Sequence, residues 1–245
     1  MRPIRRILIA SALVGVGALV LSSAAHAGTR DYEVTLKDLT SGQPLTPPVA
    51  ATHRGKHAIF EVGQPASVGV REIAENGNNA PLLAFLNANP FGNVFDVTQG
   101  GNGPLVPDGT PGSASFDDEV SFGLEGSSRA NRLSLASMLI CTNDGFTGVD
   151  SLRLPNRVGR ATVARTNGYD AHTEVNTEDY ADIVPPCQGL IGDSSGEPGT
   201  DVSNPDLAEG GVIAHHDGIA GGSDLKPDLH GWTDPVARIV VERIG

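Results

Sequence analysis

The sequence predicts an all-β fold, an antiparallel β-sandwich with long loops, and three observations predict it. Apolar residues alternate with polar ones in short stretches that recur along the chain. Clusters such as "SGQP", "GQP", "NGNN", "GGNGP" and "PDGTPG", typical turn formers, separate those stretches. The composition holds 31 Gly and 17 Pro with 4% aromatics, so the core is left to Val, Leu, Ile and Ala divided by many turns.

Taken in order, "DYEVTLKD" places Tyr32, Val34 and Leu36 on one face, and "HAIFEVG" does the same with Ala58, Phe60 and Val62. A helical turn or two is expected at "NAPLLAFLNA". "DEVSFGLEG" alternates through Val120, Phe122 and Leu124; "RLSLASMLI", "LRLP" and "RATVAR" follow, and "VARIVVERIG" closes the chain. Residues Pro185 to Gly211 lack periodicity and read as a long surface loop. No internal repeat is visible.

At the start, Arg2, Arg5 and Arg6 precede an apolar run from Ile7 to Leu21, and Ala25-His26-Ala27 supplies a small-residue cleavage site. Residues 1–27 therefore read as a secretory signal peptide, since the run is too short and too rich in Gly and Ala for a membrane span. The expected mature chain, residues 28–245, fits a single β domain and has no later stretch apolar enough to cross a membrane. Cleavage removes three of 17 basic residues and none of 29 acidic ones, leaving a mature charge of minus 15. Such a surface repels phosphate backbones, which argues against nucleic acid as a partner. It attracts cations. The expected setting is the periplasm or the outside of the cell.

Cys141 and Cys187 are the only cysteines, and in an exported protein two cysteines pair more often than not. No His lies near either one in sequence to suggest a catalytic thiol.

The acids of two loops carry the functional signal. Asp144 and Asp150 flank an expected turn in "CTNDGFTGVDS", and "TNGYDAHTEVNTEDY" places Asp170 and Glu174 four apart. Calcium takes six to eight hard oxygens from carboxylates, carbonyls and water, which two acidic loops meeting at one sandwich edge can supply. The helix-loop-helix calcium pattern is absent. On spacing alone the turn-forming habit of Asp, Asn and Gly explains these residues equally well.

"SMLICTNDGFTGVDSL", "YDAHTE" and "PVARIVVERI", with "VIAHHDGI" between the last two, together resemble the spondin domain found at the N-terminal side of F-spondin and in exported bacterial proteins. The resemblance implies a β-sandwich similar to calcium-dependent lipid-binding domains, with a calcium ion at one end and, in animals, a role in extracellular adhesion. It places the family's three carboxylate ligands on Asp144, Asp170 and Glu174, the last a departure from the usual Asp. Gly145 stands where animal members carry Trp, and His172 replaces a Gly. On this reading Gly145 and Gly148 turn the backbone tightly beside the ion. The expected function is a non-enzymatic binding or adhesion module for an extracellular or periplasmic protein or glycan.

The alternative is an exported serine hydrolase. "GDSSG" at Gly192 to Gly196 fits G-x-S-x-G around Ser194, yet "PPCQGLI" before it is no convincing strand and "EPGTDVSNP" after it opens a helix poorly. "AHHDG" offers His215 and His216, but neighbours on an extended strand point to opposite faces, so both would not reach one ion.

Overall fold

The computed structural model describes residues 28–56 and 58–245. The signal peptide reading, on residues 1–27, lies outside them. Ten strands make two sheets with antiparallel pairing throughout: β1 (Thr29–Asp38), β2 (Val49–His53), β3 (Val94–Gln99), β4 (Glu119–Ser127), β5 (Arg132–Met138), β6 (Gly145–Arg153), β7 (Ala161–Thr166), β8 (Gly168–Asp170), β9 (Ala214–His215) and β10 (Ala237–Arg243). One sheet runs β4-β1-β10-β7 and the other β3-β2-β5-β6-β8-β9. Among the described residues four α-helices, α1 (Val68–Asn76), α2 (Ala80–Ala88), α3 (Pro186–Ile191) and α4 (Pro227–His230), lie between strands.

The core forms two layers, and this explains which strands alternate. Between the sheets, Tyr32, Val34 and Leu36 of β1 meet Leu133 and Leu135 of β5 and Ile239 and Val241 of β10. Truncating one such buried leucine to alanine costs about 2–5 kcal/mol. On the far face of the six-stranded sheet, Val70 and Ile73 of α1 and Leu82 and Leu86 of α2 cover Val49, Ala51, Ala136 and Met138. β1 is buried on one face and keeps its period of two; β2, "VAATH", is buried at every position. Strands covered on both faces lose alternation.

Four expectations are corrected. "HAIFEVG" forms no strand in its described residues: Ile59 and Phe60 are both buried, Val62 is 54% exposed, and Phe60 packs edge-on against Phe146 at 5.1 Å. Phe60 anchors a strap across the outer layer, and the strap's end is tied by backbone bonds from Gly63 N to Ile213 O at 2.8 Å and from Ile213 N to Gln64 O at 3.0 Å. The stretch from Gly145 to Asp150 is the first part of β6, so Asp150 sits inside a strand and not at the far side of a turn. Gly148 is there for close packing, because a Cβ would meet Leu135 O at 2.0 Å across the β5–β6 pair. The aperiodic segment from Pro185 contains α3, which Pro186 opens at a first-turn position where its missing N–H costs nothing.

Candidate functional site

The turn between β5 and β6 delivers Asp144, and a set of clamps holds that turn. Gln43 Nε2 donates to Cys141 O at 3.1 Å while Cys141 N donates to Gln43 Oε1 at 2.7 Å. Thr142 Oγ1 donates to Leu139 O and accepts from Gly145 N, closing the bend. Cys141 and Cys187 form a disulfide that ties the turn to α3.

Asp144 is wholly buried. Its Oδ2 accepts from Thr173 N at 2.6 Å, Thr173 Oγ1 at 3.1 Å and Glu174 N at 3.0 Å. Its Oδ1 is buried with no hydrogen-bond partner. Strand pairing sets Asp170 opposite Gly145, and Ala171 N donates to Asp144 O at 3.2 Å. Asp170 Oδ1 accepts from His172 N at 2.6 Å, with His172 Nδ1 at 3.2 Å; Oδ2 accepts from Asn176 Nδ2 at 2.7 Å. Burial first and the charge of Asp170 second push the Asp144 carboxyl up to about 7, against the three donors on Oδ2. Asp144 thus carries a buried oxygen without a protein donor, under the influence of the Asp170 charge. That orphaned oxygen and its carboxylate neighbour fit a hard divalent ion.

Glu174 enters this site through its backbone. Its amide sits on Asp144, whereas its Oε1 accepts from Asn204 N at 2.8 Å. Burial pushes the Glu174 carboxyl up to about 7, and the acids that add to the shift are Glu75 and Asp182. Its side chain lines a separate cleft of about 530 Å³ beside α1, with Arg71 and Glu75. The structure thus joins Asp144 to Asp170 and gives the Glu174 carboxylate other neighbours. Among the described residues, no group of three or more His, Cys, Asp or Glu side chains stands ready to hold a metal ion.

Sequence reasoning missed the residues that orient the pair. Thr173 and Asn176 were legible only as polar loop positions, and their roles depend on β8 lying against β6. Asn143 reaches across as well, donating to Thr177 Oγ1 and accepting from Glu178 N. Glu178 in turn accepts the amides of Ala220, Gly221 and Gly222, fastening a distant loop to the same edge.

The other candidate residues have ordinary partners. Ser194 Oγ donates to Gln188 Oε1 at 2.6 Å and accepts from Gly196 N, in an exposed bend after α3. His215 is an exposed partner of Asp234, while His216 is buried against Trp232 with ring centroids 5.0 Å apart.

A family model described as Spondin_N matches residues 39–174, more than half of the chain and the stretch that carries both carboxylates. No curated protein matches the chain significantly.

Proposed function

Because the chain belongs to the Spondin_N family, we propose that it is a calcium-binding β-sandwich working outside the cytoplasm as a non-enzymatic binding or adhesion module. Its partner in this reading is an extracellular or periplasmic protein or glycan. The leader-like start of the sequence and the Cys141–Cys187 bond support export, since disulfides persist in oxidising compartments. No helix of the described residues is long and apolar enough to cross a membrane.

The observation that carries the calcium reading is the buried, unpartnered Oδ1 of Asp144 beside Asp170. Asp144 and Asp170 would hold the ion, with backbone carbonyls and water completing its oxygen shell. The ion would supply positive charge to a pair that the fold forces together, and so tie the β5–β6 turn to the loop after β8. Thr173 and Asn176 would keep each carboxylate in place while the ion binds or leaves.

The test is thermal unfolding with calcium. Binding to the folded chain alone stabilises it by about 2.7 kcal/mol at a hundredfold excess over Kd. A domain of this size then melts roughly 5–10 °C higher. Asp170→Asn is expected to remove the response, and Asp179→Asn to leave it, because Asp179 only caps Ala181 N at 2.9 Å. The reading fails if calcium shifts melting no more than equal magnesium, or if the two variants respond alike.

A further inference from the structure

We propose that the corner built from α2, the turn after it and β3 is a lipid-facing tip that docks this protein on a zwitterionic phospholipid surface. Three phenylalanines are exposed there: Phe91 at 75%, Phe85 at 45% and Phe95 at 45%. The rings of Phe85 and Phe91 meet edge-on with centroids 6.2 Å apart. Exposed apolar groups scattered singly need no explanation, but neighbouring large ones mark a contact surface.

The turn is built to hold Phe91 outward. Asn89 Oδ1 accepts from Val94 N at 3.0 Å and its Nδ2 donates to Val94 O at 2.9 Å, bracing the loop from both sides. Gly92, at φ +60°, donates its amide to Asn89 O, and Arg54 Nη2 donates to Gly92 O at 2.9 Å. Arg54 N also donates to Asn93 O. A loop with this many ties presents its aromatic residue in the free state, so little order has to be gained on docking.

Charge selects the occupant. The twenty residues from Asn76 to Phe95 contain no Asp, Glu, Lys, Arg or His, the longest such run among the described residues of a strongly acidic chain. Asp96, which follows, is turned back into the fold: its Oδ1 accepts from Val97 N and its Oδ2 from Glu125 N. A second copy of the chain would bring its own large negative charge, and an anionic surface would be repelled in the same way. A zwitterionic bilayer brings no net charge, and Arg54 sets a cation beside the tip, where phospholipid phosphates lie. Phenylalanine has no polar atom to satisfy, which suits hydrocarbon better than a sugar or a polar protein face.

The experiment is flotation of the full mature protein with phosphatidylcholine vesicles in EDTA, which keeps it separate from the calcium reading. The wild type is expected to float with the vesicles. Phe85→Ser combined with Phe91→Ser is expected to lower the partition coefficient about tenfold or more with its melting temperature unchanged, and Phe91→Trp to retain binding. The proposal is overturned if the wild type stays unbound at millimolar lipid, or if the double variant floats equally well. It is also overturned if light scattering shows a wild-type dimer that Phe91→Ser dissociates, which would give the tip to a second copy.

Discussion

Removing the carboxyl of Asp38 should flatten the pH dependence of folding stability. Asp38 ends β1 at 3% exposure; its Oδ1 accepts from Thr40 N at 2.8 Å and its Oδ2 is buried without a partner. Burial pushes its carboxyl up to about 8 despite the Thr40 hydrogen bond; Asp118 adds to the rise and Lys37 opposes it. The unfolded chain releases that proton near pH 4, so between about pH 4 and 8 the folded state binds more protons than the unfolded one. The stabilisation is complete below the unfolded pKa and is lost as pH rises through the folded one. From pH 5 to pH 8 the loss from this group is about 3.5 kcal/mol, at 1.36 kcal/mol per unit and with the group half titrated at pH 8. Asn at this position keeps an acceptor for Thr40 and does not titrate. Urea unfolding at both pH values in EDTA, followed by Trp232 fluorescence, should therefore show a wild-type midpoint that falls about 1.5 M further than that of Asp38→Asn. Asp144 and Glu174 titrate in both proteins and cancel in the comparison. Equal falls for the two proteins would refute the buried, protonated Asp38.

Reduction is the second perturbation. The Cys141–Cys187 bond spans 46 residues, and chain entropy assigns such a loop about 4 kcal/mol, so the double Cys→Ser protein should melt well below the wild type. An unchanged melting temperature would show that the bond contributes nothing to stability. A fluorophosphonate probe should leave Ser194 unmodified, since its hydroxyl faces Gln188 and the amide of Gly196. Stoichiometric labelling that Ser194→Ala abolishes would overturn the non-enzymatic reading.

The sandwich was legible wherever one face of a strand meets the core and the other meets water. β1, β4 and β10 show that alternation and were read from it. β2 and β3 were not, the first because it is buried at every residue, the second because it lies at a sheet edge with Phe95 turned outward. β8 and β9 are too short for any period. At the site, Asp144 and Asp170 could be named from their motifs, yet the direction of the Glu174 side chain could not. A spacing of four says nothing about which neighbours a loop carboxylate meets, and here Asn204, thirty residues away, takes Glu174 out of the pair.

The fold leaves Asp144 few ways to relieve the burial of its charge, and the proposed cation site rests on that. An ionised carboxylate that is buried beside another can escape by rotating into solvent, by moving its backbone, or by being neutralised. Rotation would forfeit three hydrogen bonds on Oδ2 from an aspartate with no exposed surface. Backbone movement is opposed by Gln43 on Cys141, by Thr142 within the turn and by the disulfide to α3. Neutralisation remains. A proton provides it at low pH, since the carboxyl holds its proton up to about 7. Above that pH a cation can take the proton's place, and its binding then no longer competes with protonation of the same oxygen. The clamps at Gln43, Thr142 and the disulfide thus hold the unpartnered Oδ1 in position, and if the proposed cation site is correct, loosening one of them, at Gln43 for instance, would weaken cation binding without touching a ligand.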